Sequence, residues 1–194
     1  KTVFGVISVH NIPILDAIAK RNLIKFVPAR GEMGAGHMAD GFARSSDKVG
    51  VVITSTGPGA ANVVGSIVEA RFAGTPLLHI TGQTATENLD KNQGTVHDVP
   101  NQLEMMKSVS KNAYRITSSK NVLEVLEKAL KEAITPPTGP VSIEVPIDIQ
   151  RTIINRQETF NKVVINDKNI SLGDLKKFYI KSLLNIRWYK NVYY

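Results

Sequence analysis

The chain has 194 residues, of which 42% are hydrophobic, enough for one substantial buried core and little more. It contains no cysteine, which excludes disulfides, thiolate nucleophiles and thiolate metal ligands. No apolar run reaches the roughly 20 residues of a membrane-spanning helix, and the opening KTVFGVISV has the pattern of a strand rather than of a signal peptide. We therefore expect a cytoplasmic protein that does not contact a membrane.

The net charge of +7 is concentrated near one end of the sequence. Residues 1–150 hold 15 Lys/Arg and 14 Asp/Glu, whereas residues 151–194 hold 9 and 3. This split predicts a nearly neutral body, residues 1–150, followed by a basic segment, residues 151–194, which we interpret as a linker and the remnant of a missing following domain. The alternative is a basic, aromatic-bearing tail that binds single-stranded nucleic acid or another protein. We favour the linker, with a helix near residues 172–184, because the aromatic side chains have no regular spacing.

In the first half of the body, strands alternate with helices. Residues 2–8 form an apolar strand, and residues 11–21 carry apolar side chains at helical spacing, with Pro13 tolerated in the first turn. A strand at residues 24–29 leads into a helix that begins at Glu32. Residues 50–54 are apolar almost throughout, as expected for a strand covered on both faces.

The second half continues this alternation. The turn GPGAAN opens a helix, residues 75–81 form a fourth strand, and residues 84–102 form a long polar segment without periodicity. A fifth strand near residues 113–116, an amphipathic helix at residues 121–134 and a last buried strand at residues 139–148 follow. The order predicts a three-layer α/β/α, doubly wound fold with a mostly parallel sheet of about six strands.

The helix that begins at Glu32 is rich in small residues. Each of its three glycines costs about 1 kcal/mol relative to alanine, so another backbone, a flat ligand or a second subunit is expected to approach it closely. The composition predicts one helix surface nearly free of side chains, formed by Gly34, Gly36 and Gly41 with Ala35, Ala39 and Ala43. Glu32 by itself is typical of a first-turn carboxylate that complements the helix dipole.

Several polar residues follow the predicted strands. His10 and Asn11 lie at the carboxyl end of the first strand, where open parallel sheets bind ligands. The Gly-rich turn at Gly57 and Pro58 could cradle a phosphate, but it lacks a P-loop lysine and a dinucleotide fingerprint, so a simple tight turn is favoured. His79 lies inside an apolar run and is predicted to be a hydrogen-bonded core histidine. No spacing indicates a metal site.

Four segments in order resemble a known family. They are FGVISVHN, RGEMGAGHMADGFARSSDKVGVVITSTGPGAANVVGSIVEA, TPLLHITGQ and TPPTGPVSIEVPIDIQ. Over about residues 2–150 they are similar to the N-terminal, pyrimidine-binding domain of thiamine diphosphate-dependent enzymes of the acetolactate synthase type, which decarboxylate and ligate 2-oxo acids.

The resemblance implies roles for individual residues. The family carboxylate at the position of Glu32 hydrogen-bonds a ring nitrogen of the cofactor's aminopyrimidine and favours the imino tautomer, which removes a proton from the thiazolium carbon. The cofactor cleft would be lined by Gly57, Pro58, Asn62 and Gln83, with His10 and Asn11 at its rim. In such enzymes this domain of one subunit covers cofactor held by another.

Two departures from the family pattern affect the expected activity. The GDG and NN motifs that hold Mg²⁺ and the diphosphate are absent, so we expect Mg²⁺ only on the missing domain. Whether the chain is itself an enzyme is left open, because it is expected to need a homodimer or a complementary subunit that bears those motifs. His97 and Asp98 stand where acetolactate synthases carry Phe-Gln, which leaves open a different small 2-oxo acid or acyl substrate. His97 is either a substrate-facing acid or base or a solvated loop residue.

Overall fold

The computed structural model describes residues 1–153, so the predictions for residues 154–194, including the helix near residues 172–184, lie outside the described part of the chain. Six strands form one sheet in the order β2-β1-β3-β4-β6-β5, and every neighbouring pair is parallel. The prediction of a doubly wound, largely parallel sheet of six strands is confirmed. The strands are β1 (Thr2–Gly5), β2 (Lys25–Pro28), β3 (Gly50–Thr54), β4 (Leu77–Gln83), β5 (Asn112–Arg115) and β6 (Pro140–Pro146).

Six α-helices connect these strands, a seventh follows the last strand within residues 1–153, and a short 3₁₀ turn spans Thr86–Asn88. The helices are α1 (Ile12–Arg21), α2 (Glu32–Ser46), α3 (Pro58–Asn62), α4 (Val64–Phe72), α5 (Gln102–Val109), α6 (Val122–Ile134) and α7 (Ile147–Arg151). The helices differ from the sequence-based prediction in two respects. The helix expected after Gly57 is divided at Val63 into α3 and α4, and the segments that become α5 and α7 were not predicted to be helical.

The helices cover both faces of the sheet. On one face, α1, α6 and α7 bury apolar side chains against β1, β3, β4 and β6. On the other face, α2 and α4 pack against β1, β3 and β4 through a smaller core of mainly alanine and branched side chains. This arrangement confirms the three-layer α/β/α architecture, and it directs the strand ends and the helix N-termini to one edge of the sheet. None of the helices in the described residues is long and apolar enough to cross a membrane.

The small residues of α2 do not form one surface, so that prediction is wrong. Ala35, Ala39 and Ala43 face the sheet and α4, and a Cβ atom at Gly36 would overlap the hydroxyl of Ser66. The remaining two glycines of the set face open space, with no atom within 4 Å of an added Cβ: these are Gly34 and Gly41. The helix therefore uses small residues for close packing on one side and leaves a bare strip on the other.

Candidate functional site

The direction in which successive strands are added to the sheet reverses at β1. From β1 it moves to one side to form β2 and then returns to the other side of β1 to form β3. In open parallel sheets the crevice beside such a switch point, outside the carboxyl ends of the strands, is where ligands bind. The segments that leave β1 and β3 are joined there by a hydrogen bond of 2.6 Å between the hydroxyl oxygens of Ser8 and Ser55.

Glu32 lies beside this crevice as the first residue of α2, directly after the turn that leaves β2. Glu32 is half-buried as a residue, and its Oε2 accepts a solvent-exposed hydrogen bond of 3.2 Å from the side-chain Nδ2 of Asn62, at the end of α3. A Cβ atom at Gly59 would lie 3.0 Å from Oε1, so the backbone of α3 approaches the carboxylate closely. Among residues 1–153 no group donates a hydrogen bond to Oε1.

The turn that precedes α3 is formed by Thr56 and Gly57. Gly57 has a φ of +54°, a left-handed conformation that favours glycine. A Cβ atom at this position would also overlap the carbonyl oxygen of His97, so the loop that follows β4 rests directly on the turn. Pro58 is exposed and occupies the first helical position of α3, where its missing N–H costs no hydrogen bond.

His10 and His97 are brought together at the same edge. Their ring centroids are 5.5 Å apart, although 87 positions separate them in the sequence. Burial lowers the pKa of His10, and the nearby His97 and Arg151 lower it further. His10 is therefore neutral at pH 7 and able to accept a proton. His97 is exposed and has a φ of +63° in the loop between β4 and α5.

Three buried side-chain atoms in the described part of the chain have no hydrogen-bond partner: His10 Nδ1, Thr84 Oγ1 and Gln150 Oε1. They belong to segments that meet at one corner of the sheet edge. The Nε2 atom of Gln150 donates hydrogen bonds of 2.7 Å to the carbonyl oxygens of His10 and Val145, and the backbone of His10 packs on Gly82, two residues before Thr84. Unpartnered polar atoms at a sheet edge are available to water or to a ligand.

Asn11 is fully buried, and both ends of its amide bind the backbone of its own turn. Its Oδ1 accepts from the amide of Ser8 at 2.9 Å, and its Nδ2 donates to the carbonyl oxygen of Val6 at 2.9 Å. The side chain thereby shapes the segment that presents His10. Contact between Asn11 and a substrate stays a prediction.

Gln83 lies in a buried polar cluster on the other face of β4 and β6. Its Oε1 accepts from the Thr56 hydroxyl at 2.9 Å and from the amide of Thr84 at 2.8 Å, and its Nε2 is 3.4 Å from Oε1 of Glu144. The direct contact of Gln83 with a cofactor stays a prediction. We call this group the Glu144 cluster, and it comprises Thr56, Gln83, Gln102, Arg115 and Glu144, with the exposed Asp90 at its edge.

Glu144 is the charged centre of that cluster and is fully buried in β6. Its Oε2 accepts a hydrogen bond of 2.7 Å from Nε of Arg115 in β5, whose Nη1 donates to Asp90 at 2.5 Å. Burial raises the pKa of the Glu144 carboxyl, and Arg115 and Gln102 oppose that increase. The sequence contained one signal for this cluster, a carboxylate inside the apolar run of the last strand, because a buried charge requires partners.

His79 is a core residue, as predicted. It is fully buried between β3 and β6, with Nε2 at 2.9 Å from the Thr54 hydroxyl and Nδ1 at 3.0 Å from the Ser142 hydroxyl. Burial lowers its pKa from 6.5 to about 3, so the ring is neutral at pH 7. Within residues 1–153 no group of three or more His, Asp or Glu side chains is placed to hold a metal ion.

Comparison with known proteins identifies the family. Residues 1–105 match the family described as "Thiamine pyrophosphate enzyme, N-terminal TPP binding domain". The acetolactate synthase large subunit of Lactococcus lactis is 33% identical over 170 residues, 88% of this chain and 28% of that protein. The acetolactate synthase large subunit of Corynebacterium glutamicum is 32% identical over 148 residues, 76% of this chain and 23% of that protein.

A relative named for a different activity is about as similar. The probable 2-ketoarginine decarboxylase of Pseudomonas aeruginosa is 33% identical over 148 residues, 76% of this chain and 26% of that protein. The chain thus spans about a quarter of the length of the curated relatives that it matches. It belongs to the thiamine pyrophosphate enzyme family and contains the N-terminal cofactor-binding domain of acetolactate synthase-like proteins.

Proposed function

We propose that residues 1–150 bind the aminopyrimidine ring of thiamine diphosphate at the carboxyl edge of the sheet, with Glu32 on a ring nitrogen. The observation that carries this proposal is the geometry of the carboxylate. Glu32 is half-buried as a residue at the start of α2, Asn62 occupies one of its carboxylate oxygens, and no residue among 1–153 donates to the other. A carboxylate oxygen without a donor suits a nitrogen that bears a proton.

The neighbouring residues fit a flat ring. Gly59 offers no side chain toward Oε1 of Glu32, and a Cβ atom in its place would also meet Ser55 at 2.7 Å. Asn62 fixes the carboxylate from the side of α3, so Glu32 would meet a ring in a defined orientation. Gly57 and Pro58 form the turn on which that helix begins. When bound, thiamine diphosphate supplies a nucleophilic carbon and accepts the electron pair that remains after carbon dioxide leaves a 2-oxo acid.

On the substrate side we propose a role for the histidine pair. His10 is neutral at pH 7 and carries a buried Nδ1 without a partner, while His97 is exposed beside it. The two rings would hold or move a proton at the carboxylate or carbonyl oxygen of a small 2-oxo acid or acyl substrate. Asn11 contributes by holding the turn that carries His10.

The proposed activity is that of one half of a decarboxylase or carboligase. The diphosphate and its Mg²⁺ would be held by another domain, in a homodimer or in a complementary subunit. Exposed apolar side chains support such a partner: Phe72 is 90% exposed, Met33 is 54% exposed and Val68 is 46% exposed, and the sulfur of Met33 lies 3.5 Å from the Cβ position of Gly65, three residues before Val68. These side chains lie on the outer side of α2 and α4, which also includes the bare Gly34.

Reconstitution tests this function. The 194-residue chain is mixed with a candidate partner that bears the GDG and NN motifs, together with thiamine diphosphate and Mg²⁺, and carbon dioxide release from a panel of 2-oxo acids is measured. We expect release above that of either protein alone and its loss in the Glu32→Gln variant, which keeps the shape but not the charge. A matched control is Glu104→Gln, at an exposed glutamate of α5, which should keep full activity. No gain with any such partner would count against the proposal.

A further inference from the structure

The side chain of Gln102 joins three strand ends. It is the first residue of α5 and is fully buried. Its Oε1 accepts a hydrogen bond of 2.5 Å from the amide of Gly57 and lies 3.1 Å from the hydroxyl of Thr56, whose one proton it shares with Gln83. Its Nε2 donates to Oε1 of Glu144 at 2.9 Å and lies 3.4 Å from the carbonyl oxygen of Gly82. Because one end of the amide meets only donors and the other only acceptors, its orientation is fixed.

These bonds act on the turn that precedes α3. Gly57 is held on one side by Gln102 and on the other by the carbonyl oxygen of His97, which rests against its Cα. The turn therefore has little freedom to move independently of the loop that follows β4. The loop thus contacts the turn at two points, the carbonyl oxygen of His97 and the side chain of Gln102 at its end.

The Gly57 turn also positions the residues around Glu32. Gly57 is followed at once by α3, a helix of five residues, and the carbonyl oxygen of Gly57 accepts the hydrogen bond of Ala61 within it. The residues of α3 that contact the carboxylate are Gly59 and Asn62. Because the amide of Ala61 is bonded to Gly57 within this single turn, we expect a displacement of Gly57 to reach the Asn62 amide.

The Glu144 cluster makes this link rigid. Glu144 accepts a hydrogen bond from Gln102 at Oε1 and another from Arg115 at Oε2. Arg115 also donates to Asp90 in the loop. A buried polar network in which every member has partners specifies one geometry, whereas a partly satisfied one loses that definition. The loop is tied to the cluster at Asp90 and at Gln102, on either side of His97.

We propose that Gln102 is a positioning residue for the cofactor site: through the Gly57 turn it sets where α3 holds Asn62 against Glu32. It touches neither Glu32 nor any group that reacts. This inference rests on the proposed function only for its consequence, the affinity for the aminopyrimidine ring, while its structural half concerns the ligand-free chain.

A charge swap within the cluster tests the proposal. Gln102→Glu keeps an acceptor for the Gly57 amide but places a second carboxylate beside Glu144, and the double variant Q102E/E144Q restores one acid and one amide at the pair. With all variants folded, we expect Q102E to weaken binding of 4-amino-5-hydroxymethyl-2-methylpyrimidine about tenfold, the loss that one hydrogen bond to a charged group accounts for. The double variant should recover most of this affinity. Gln93→Glu, at an exposed glutamine of the same loop, is the matched control and should leave binding unchanged.

Nuclear magnetic resonance of the ligand-free chain separates this proposal from the proposed function. We expect Q102E to shift the backbone amide of Gly57 and the side-chain amide of Asn62, and the double variant to return both signals toward their original positions. If Q102E does not fold, Gln102→Met, which removes the bond to the Gly57 amide as well as the bond to Glu144 and adds no charge, should also shift both signals. A shift at Gly57 without one at Asn62, or a pyrimidine affinity unchanged by Q102E, would overturn the proposal. If the native chain binds no pyrimidine, the proposed function fails, and the two amide signals alone decide whether Gln102 positions α3.

Discussion

Two carboxylates at the carboxyl edge of the sheet differ in how much of their hydrogen-bonding capacity the protein itself uses. Glu144 is fully buried, and both of its oxygens are bound by side chains of the cluster around it. Glu32 is half-buried and accepts one hydrogen bond, from Asn62, among the described residues. The comparison indicates that a buried carboxylate with both oxygens hydrogen-bonded stabilises the fold. A carboxylate with one oxygen free of protein donors, at the carboxyl edge of the sheet, can bind a ligand.

The largest predicted effect on stability is that of replacing Glu144. Glu144→Ala should lower the free energy of unfolding by about 3–5 kcal/mol, because it leaves the charge of Arg115 without its buried partner. Urea denaturation measures this loss. The matched control is Glu104→Ala, which removes an exposed ion pair with Lys107 and should cost no more than about 1 kcal/mol. Equal losses in the two variants would show that the cluster does not carry the stability assigned to it.

A second prediction uses the pH dependence of stability. Burial lowers the pKa of His79 from 6.5 to about 3, so between these values the unfolded chain binds a proton that the folded chain does not. The stability contributed by neutral His79 is therefore present above pH 6.5 and is lost as the pH falls. We expect the free energy of unfolding of the native protein to fall more steeply than that of His79→Gln, by about 1.4 kcal/mol per pH unit between pH 6 and 4.

Urea unfolding of the two proteins at pH 6, 5 and 4 measures this difference in slope. Every other titrating group is shared, so the comparison isolates His79. Parallel curves would mean that the ring is protonated in the folded state, in conflict with its burial between Thr54 and Ser142.

The smallest effects compare two glycines of α2. Gly36→Ala should destabilise the fold by about 1–3 kcal/mol, because the added methyl group overlaps the Ser66 hydroxyl. Gly34→Ala should stabilise it by about 0.5–1 kcal/mol, because the new side chain meets no atom and alanine is the better helix former. Thermal or urea unfolding of both variants measures whether each change raises or lowers the free energy of unfolding. Two changes of the same sign would contradict the division of this helix into a packed side and a bare side.

The sequence predicted the fold better than the details of the site. Apolar runs such as β3 and the amphipathic stripe of α6 are determined locally, so their patterns identify them. Helix α5 has no such pattern, because the buried positions among its eight residues are Gln102 and Met106, and one of these is polar. Its role depends on the distant Gly57 amide, which the sequence does not connect to it.

Glu32 was predicted as a site residue from the resemblance of the chain to the family, whereas its surroundings could be described only from the structure. The approach of Gly59 and the hydrogen bond from Asn62 join α2 to α3 across 30 positions of sequence. The pairing of β5 with β6, which brings Arg115 to Glu144, depends on strand order rather than on any local pattern. The bare surface assigned to α2 was wrong because its small residues were not separated by their helical period: Gly34 and Gly41 are seven residues apart on one side, while Ala35, Ala39 and Ala43 share another.

The most direct test of the account is titration of the isotope-labelled chain with 4-amino-5-hydroxymethyl-2-methylpyrimidine, followed by nuclear magnetic resonance. We predict that the backbone amide of Gly59 and the side-chain amide of Asn62 shift on addition of the pyrimidine, and that both shifts disappear in the Glu32→Gln variant. Shifts of equal size in the native chain and in Glu32→Gln, or binding that leaves Gly59 and Asn62 unchanged, would contradict the assignment of Glu32 as the carboxylate that holds the cofactor ring.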